Sequence, residues 1–240
     1  MEDTPQEIIE ERHNSSRRDF LKKSAVTGAV VWSAPAISTL SSRAWADENG
    51  YEEPCECDEA AYALFVEADG IIIIPERYEP SIVTQEGESD FVAGVDLGLV
   101  EATLLNAGIP DNCHAHADVA SVKVDLGVLG ILGLDGVIEA TVLTADAFGD
   151  GCEARSSIAT LTVGGEEVLD LETPNLDVDV DLGPLVNATL VLNEQTGGTN
   201  NIAVNALHLN LTVLGALGNA VQTLELIVSH AESTCCPNGA

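Results

Sequence analysis

Cysteine and histidine residues are the first candidates for chemistry in this 240-residue sequence. Cys113, His114 and His116 lie close together in the chain, and Cys55 with Cys57 forms a second close pair. Thiolate sulfur and imidazole nitrogen are ligands that zinc and copper prefer, so these residues could form a metal site. Strand alternation would put His114 and His116 on one face, but no Cys-x-x-Cys pair accompanies them. We therefore expect no metal site and interpret the two histidines as solvated strand residues.

A row of aspartates at alternate positions, Asp177, Asp179 and Asp181, suggests calcium. It does not fit a helical calcium loop, because Leu182 stands where glycine belongs and Ala188 where the bidentate glutamate belongs. We interpret the row as a solvated acidic strand face and expect at most weak, diffuse binding of Ca²⁺ and no other cofactor.

No catalytic motif is present. The sequence contains no Gly-x-Ser-x-Gly elbow, no His-Glu-x-x-His pair and no phosphate-binding glycine loop. Acidic residues are abundant, but nothing singles out two of them as a glycosidase pair. We expect a protein that is not an enzyme and has no catalytic residues.

The N-terminal segment has the features of an export signal. A twin-arginine pattern, followed by a mildly apolar run, is formed by Arg17, Arg18, Phe20 and Leu21. Ala44 and Ala46 supply the small residues of a cleavage site, so we predict cleavage after residue 46. No later stretch is long and apolar enough to cross a membrane, and we expect no membrane anchor in the mature form.

The charge is strongly negative, at −31. Residues 1–46 carry equal numbers of acidic and basic residues, so the mature chain keeps the whole net charge, with Arg77, Lys123 and Arg155 as its only lysine and arginine residues. Such a surface excludes nucleic acid as a partner, because it offers no basic patch to phosphates. Salt, divalent cations or a cationic partner would screen the self-repulsion.

The six cysteines all follow the predicted leader, and an even number of cysteines in an exported chain is typical of disulfides. They are Cys55, Cys57, Cys113, Cys152, Cys235 and Cys236. We predict one bond between Cys113 and Cys152, and bonds that join Cys55 and Cys57 to Cys235 and Cys236, because chain termini often meet at one end of a domain. A twin-arginine cargo is folded before export, so either these bonds close afterwards at positions already in place, or the thiols bind a metal before export.

The mature chain has the two-residue periodicity of β-strands. Residues 161–169 predict a hairpin around Gly164 and Gly165. Residues 202–213 predict a long strand with Leu207, Leu209, Leu211 and Val213 on one face and Ala206, His208, Asn210 and Thr212 on the other.

An internal repeat supports the same fold class. The tetrapeptide Val-Asp-Leu-Gly occurs at residues 95–98, 124–127 and 180–183, and an acidic-or-Asn, Ala, Thr strand follows each copy. We predict an all-β, antiparallel sandwich built from repeated hairpin units, with helix in the leader only, and keep a β-solenoid as the alternative.

Two stretches resemble the choice-of-anchor P family of secreted prokaryotic proteins. These are residues 189–195 (TLVLNEQ) with 202–209 (IAVNALHL), and residues 145–152 (ADAFGDGC) with 156–165 (SSIATLTVGG). The resemblance spans roughly residues 61–230 and implies an exported, cell-surface role. It transfers no catalytic residue, and this chain shows no recognisable C-terminal anchor of the kind that gives the family its name.

We therefore predict a signal peptide over 1–46, a flexible acidic arm over 47–60, an all-β domain over 61–231 and a cysteine-containing tail over 232–240. The expected function is a secreted or cell-surface, non-catalytic component of the envelope or extracellular matrix. The alternatives are a calcium-assisted module that binds carbohydrate or wall polymer, and a fibre subunit that self-associates by strand addition. The sequence predicts the twin-arginine translocation machinery as a partner. Under the two alternatives, the partners are wall polymer or further copies of the same chain.

Overall fold

The computed structural model describes residues 57–71, 75–111, 113–129, 136–180, 182, 186–215 and 220–235. By compactness the chain divides into Met1–Ser41 and Ser42–Ala240, and every described residue belongs to the second unit. The described residues are almost entirely β-strand, with one 3₁₀ turn at Leu126–Leu129. No helix among them is long and apolar enough to cross a membrane.

The strands form two antiparallel sheets. The seven-stranded sheet, in the order β10-β11-β12-β13-β1-β2 with β3 also on β1, consists of β1 (Glu59–Asp69), β2 (Arg77–Tyr78), β3 (Ile82–Val83), β10 (Leu176–Val178), β11 (Val186–Gly197), β12 (Asn201–Leu214) and β13 (Ala220–Thr234). The six-stranded sheet, in chain order, consists of β4 (Ser89–Asp96), β5 (Val100–Asp111), β6 (His114–Asp125), β7 (Val137–Phe148), β8 (Glu153–Val163) and β9 (Glu166–Glu167).

The two sheets pack face to face, which confirms the predicted antiparallel sandwich. Leucines from both inner faces, such as Leu105 and Leu143 against Leu190 and Leu209, are fully buried in one core. Each side chain of this size contributes about 1.5–3 kcal/mol when it is removed from water. Because every strand pair among the described residues is antiparallel, the alternative of stacked solenoid coils is wrong.

The predicted hairpin is confirmed. β8 pairs with β9 through Val163 and Glu166, and the two residues between them are Gly164 and Gly165. Both glycines have positive φ, 59° and 80°, which is the backbone of a two-residue turn that glycine adopts without strain.

The repeated tetrapeptide is a turn motif. The carboxylate of Asp96 accepts a hydrogen bond from the backbone N–H of Gly98 at 2.8 Å, and Asp125 accepts one from Gly127 at 3.0 Å. In both copies the aspartate ends one strand and turns the chain toward the next. In the third copy, Asp181 and Gly183 lie outside the described residues.

The domain is longer at both ends than the predicted range 61–231. β1 begins at Glu59, inside the predicted arm, because Glu59 and Ala60 pair with Ser233 and Glu232 of β13. β13 continues to Thr234, inside the predicted tail. Residues 1–56 and 236–240 lie outside the described residues.

A row of kinks crosses the six-stranded sheet. In each of five strands the alternation of side chains breaks once, so that two consecutive residues face outward, as Thr103 and Leu104 do in β5. The inward-facing residues are Ala102 before the break and Leu105 after it. The register of each strand pair is the same on both sides of the row, so no residue is inserted at the kinks themselves. The row consists of Ala93, Leu104, Ala120, Val142 and Ala159.

A matching row crosses the seven-stranded sheet, where two consecutive residues face inward. Its members, each buried beside another inward side chain, are Ala63, Asn193, Ala206 and Ser229. The predicted outward position of Ala206 is therefore wrong: alternation changes phase there, and Ala206 is buried next to Leu207. The rest of the predicted strand over 202–213 lies within β12.

The two rows face each other across the core. The hydroxyl of Ser229 donates a hydrogen bond to the backbone carbonyl of Leu143, the neighbour of Val142, at 3.1 Å. The hydroxyl of Ser156 donates to the side-chain carbonyl of Asn193 at 2.8 Å. An outward-facing pair of residues in one sheet thus lies opposite an inward-facing pair in the other, and the two layers stay in contact at this row.

The kinks place non-glycine residues in the left-handed region of backbone space. Leu104 (φ 51°), Val142 (φ 48°), Asn193 (φ 47°) and Ser229 (φ 53°) stand on alternate strands of their sheets. Asparagine tolerates this conformation, whereas for the β-branched Val142 it is strained.

We expect Val142→Gly to relieve this strain. Val142 is 53% exposed, so little buried surface is lost, and the relief of about 1–2 kcal/mol offsets the cost of a flexible glycine. The matched control is Val221→Gly, at a 49% exposed strand position that has no positive φ. In urea unfolding, the free energy of unfolding of Val142→Gly should exceed that of Val221→Gly by about 1 kcal/mol or more. Equal losses in the two variants would show that the kink stores no strain.

Candidate functional site

One end of the sandwich holds both ends of the described domain. Cys57 precedes β1 and Cys235 follows β13. The backbone N–H of Asp58 donates to the hydroxyl of Thr234 at 2.8 Å, and the N–H of Thr234 donates to the carbonyl of Asp58 at 2.9 Å. Gly149, in the β7–β8 turn, packs directly on this junction, because a Cβ atom there would lie 2.2 Å from the carbonyl oxygen of Thr234.

Two disulfides close this end, and each one joins the two sheets. Cys57 is bonded to Cys113 in the β5–β6 turn, 56 residues along the chain, and Cys152 in the β7–β8 turn is bonded to Cys235, 83 residues along. The predicted Cys113–Cys152 bond is wrong, because both residues lie in turns of the same sheet and their partners lie at the strand ends of the other.

The predicted bonds between the N-terminal and C-terminal cysteine pairs are wrong for Cys57 and Cys235. Each of these two residues is bonded instead to a cysteine in a turn of the six-stranded sheet. That these four cysteines form disulfides is confirmed, which is compatible with an extracellular protein. Cys55 and Cys236 lie outside the described residues.

The carboxylate of Glu59 lies beside the first disulfide. It accepts a hydrogen bond from the backbone N–H of Cys113, and burial raises its pKa above the ordinary value for glutamate. Cys57, Glu59 and Cys113 are close enough to surround one metal ion. Both sulfurs are used in the disulfide, however, so the oxidised protein offers no thiolate there.

A second cluster lies on the outer face of β6 and β7. His114 and His116 stand at alternate positions of β6, and Asp146 of β7 pairs directly with His116 in the register. One oxygen of Asp146, Oδ1, lies 3.0 Å from His114 Nε2 and 2.8 Å from His116 Nδ1. Asp118 extends the cluster, with Oδ2 3.8 Å from His116 Nε2. We call His114, His116 and Asp146 the histidine–aspartate cluster.

The charges in this cluster stabilise one another. The hydrogen bond to Asp146 raises the pKa of His116, and the Asp118 and Asp146 charges add to this effect against partial burial. Burial alone would raise the pKa of Asp146, but its hydrogen bonds to both histidines outweigh burial and lower it. The neighbouring carboxylates therefore favour the charged form of His116.

Packing restricts the orientation of the His114 ring. Its imidazole stacks on Phe148 with 4.4 Å between ring centroids. The Arg155 guanidinium lies 5.8 Å from the centre of the Phe148 ring and pairs with Glu153 at 2.8 Å. Among the described residues, the side chain of Asp146 therefore contacts the two histidines rather than Arg155.

A third cluster lies on the outer face of the seven-stranded sheet. His208 of β12 bridges two carboxylates from the neighbouring strands, with Nδ1 2.7 Å from Glu194 Oε2 and Nε2 3.1 Å from Glu225 Oε1. The Asn205 side-chain amide donates to the same oxygen of Glu194 at 2.7 Å. Burial opposes the charge on His208, but the two glutamates together outweigh it and raise the pKa of His208 to about 9. Burial raises the pKa of Glu194, and the hydrogen bond from His208 overcomes this effect to lower it.

His230 connects this cluster to the aromatic side chains of β1. Its Nδ1 lies 2.6 Å from the side-chain oxygen of Asn205, and its ring stacks on Tyr62 at 4.2 Å. Its Nε2 is buried without a hydrogen-bond partner among the described residues, and a Glu232 oxygen lies 3.7 Å away. Burial raises the pKa of the Tyr62 hydroxyl far above its ordinary value. The alternation over residues 202–213 placed His208 on a strand face but did not predict this network.

Several predicted residues lie outside the described residues: the export motif Arg17, Arg18, Phe20 and Leu21, the cleavage residues Ala44 and Ala46, and Asp181. Asp177 and Asp179 are exposed at β10 and beyond it, while Val178 and Val180 turn toward the core. The structure brings His114 and His116 together with Asp146, which sequence reasoning did not single out. The missing signal was the β6–β7 register, which places residues 116 and 146 opposite each other.

Comparison with known proteins found no match: no family model, no curated protein and no solved structure matches this chain. The site must therefore be interpreted from its own geometry. A hollow of about 360 Å³ lies at the end of β1 and is lined by Glu67, Ala68, Asp69, Glu76, Arg77 and Thr223. It includes no residue of the two histidine clusters, and its polar lining consists of the side chains of Glu67, Asp69, Glu76, Arg77 and Thr223.

The raised pKa of His208 predicts a pH-dependent loss of stability. A histidine whose pKa is raised on folding stabilises the fold fully below about pH 6.5, and this contribution disappears as the pH rises through about 9. We expect His208→Gln to lower the free energy of unfolding by about 2–3 kcal/mol more at pH 6 than at pH 9.5. The measurement is urea unfolding at both pH values.

Glu225→Gln is the companion variant, because it keeps the hydrogen bond but removes one of the two charges that His208 faces. The difference in stability between pH 6 and pH 9.5 should be smaller in Glu225→Gln than in the unmodified protein. A loss in His208→Gln that is the same at both pH values would show that His208 is not charged in the folded state.

Proposed function

We propose that this protein is exported by the twin-arginine pathway and serves at the cell surface or in the extracellular matrix as a non-catalytic, disulfide-stabilised β-domain. The observation that carries the proposal is the bonded end of the sandwich. There Cys57–Cys113 and Cys152–Cys235 tie the strands that begin and end the domain to two turns of the opposite sheet. Such bonds persist in oxidising surroundings outside the cytoplasm.

The paired cysteines suit a protein that folds before it is exported. The hydrogen bonds between Asp58 and Thr234 and the pairing of β1 with β13 hold the same elements together without sulfur chemistry. The N–H of Gly149 also donates to the carbonyl of Cys113 at 2.7 Å, which joins the two turns. The fold would thus place each pair of thiols before an oxidant closes them.

The positions of the histidines support the non-catalytic part of the proposal. Both histidine clusters are on outer sheet faces, and each satisfies its histidines mainly with carboxylates. General acid–base or nucleophilic catalysis needs such groups beside a site that holds a substrate. The resemblance to choice-of-anchor P proteins and the charge of −31 favour the same surface role.

Self-association by strand addition is the second candidate. β4 stands at the edge of the six-stranded sheet and carries Phe91, which is 58% exposed. An edge strand with an exposed aromatic side chain can pair with a neighbouring chain, whereas the carboxylates of Asp90 and Asp96 oppose it until salt screens them. Light scattering across a range of salt and Ca²⁺ concentrations separates the two: a monomer throughout excludes the fibre.

Export is tested by changing the arginine pair. In a bacterium with an active twin-arginine pathway, the unmodified chain should leave the cytoplasm, lose residues 1–46 and contain disulfides by intact mass before and after reduction. Arg17→Lys with Arg18→Lys should remain in the cytoplasm with its leader and with reduced thiols. The matched control, Lys22→Arg with Lys23→Arg, should be exported normally. Export of the Arg17/Arg18 variant at the normal rate would refute the twin-arginine route.

Folding before oxidation is tested by removing one disulfide. We expect Cys152→Ser with Cys235→Ser to retain the folded circular dichroism spectrum and to lose about 2–4 kcal/mol of unfolding free energy. The physical reason is that the bond constrains the unfolded chain over a separation of 83 residues. A variant that fails to fold at all would contradict folding before export.

A further inference from the structure

We propose that His114, His116 and Asp146 form a binding site for a divalent first-row transition-metal ion, with zinc as the representative ligand. This inference goes beyond the proposed surface role and does not depend on export. The sequence alone argued against a metal here, because no Cys-x-x-Cys pair accompanies the two histidines. The register of β6 and β7 supplies a third ligand of a different kind, the carboxylate of Asp146.

The three ligand atoms have the separations that a metal requires. His114 Nε2 and His116 Nδ1 lie 3.0 Å and 2.8 Å from the same oxygen of Asp146, and all three atoms fall within 4.8 Å of one another. Ligands at about 2.0–2.1 Å from a zinc ion stand about 3.3 Å apart in tetrahedral geometry. Small side-chain rotations would therefore let the three atoms surround one ion in place of the protons that they now share.

The ligand set favours a transition metal over calcium. Two imidazole nitrogens and one carboxylate oxygen suit zinc, copper or nickel, whereas calcium and magnesium prefer oxygen ligands. The side chains of His114, His116 and Asp146 are 23%, 32% and 27% exposed, which leaves room for water in the remaining coordination positions. The charge of −31 raises the local concentration of any divalent cation.

Neighbouring side chains support the ligands. Asp118 lies on the far side of the His116 ring from Asp146, within ion-pair distance of Nε2, and can orient the imidazole while Nδ1 binds the ion. Asp118 in turn accepts a hydrogen bond from the Asn106 side chain at 2.7 Å. The Phe148 ring stacks on His114, and the adjacent Cys113 is anchored to Cys57 by a disulfide. The site is therefore built on a rigid part of the sheet.

The test is a zinc titration of the mature domain with its disulfides intact, in which isothermal titration calorimetry measures the binding. We expect one equivalent of Zn²⁺ to bind, and His116→Ala and Asp146→Asn each to weaken binding by about 100-fold. The matched control is His208→Gln, which removes a histidine that also lies between two carboxylates and should leave zinc binding unchanged. Ca²⁺ in place of Zn²⁺ should give no saturable site that depends on these residues.

A second measurement uses the unmodified domain, so it tests the proposal even if a substituted variant fails to fold. One equivalent of Cu²⁺ should give an electron paramagnetic resonance spectrum with hyperfine structure from two imidazole nitrogens. Absence of saturable zinc binding, a copper spectrum with oxygen ligands alone, or equal loss in His208→Gln would each overturn the proposal. None of these outcomes would alter the export or disulfide experiments, so failure of the metal site and failure of the surface role are distinguishable.

Discussion

The hydrogen bond between the Ser229 hydroxyl and the Leu143 carbonyl marks the contact on which the rest of the sandwich depends. It joins two rows of kinks, one in each sheet, that reverse the inward and outward phase of the strands they cross. If a strand kept one phase throughout, half of its apolar residues would face water. In β6, Ala117 is buried before the break and Val122 after it, and only a kink lets both reach the core.

The same kinks decide which polar side chains reach the outer faces. His114 and His116 face outward because residues on their side of the row are buried at odd positions, such as Ala115. Across the row the even positions are buried, so an unbroken alternation from Val122 and Val124 would have pointed both histidines into the core. On the other sheet, His208 and His230 lie on opposite sides of the kink row and are still joined through Asn205 and Glu194.

Ion pairs and disulfide bonds also stabilise this strongly acidic domain. Three lysine and arginine residues follow the predicted leader, so the carboxylates have few cationic partners. Nearby carboxylates raise the pKa values of His208 and His116, which lets these two side chains offset part of the negative charge. The disulfides stabilise the strand ends, where β1 and β13 would otherwise fray from the turns they pack against.

Local patterns in the sequence determined the all-β class, the glycine hairpin at residues 164–165 and the aspartate turns of the repeat, because each depends on residues that are neighbours in the chain. That His114 and His116 share one face of a strand could be predicted from alternation as well. The phase change at Ala206, the partners of Cys113 and Cys152, and the approach of Asp146 to the histidines could not. Those features depend on the register between strands and on which strand ends meet across the core, and both are set only when the two sheets close on each other.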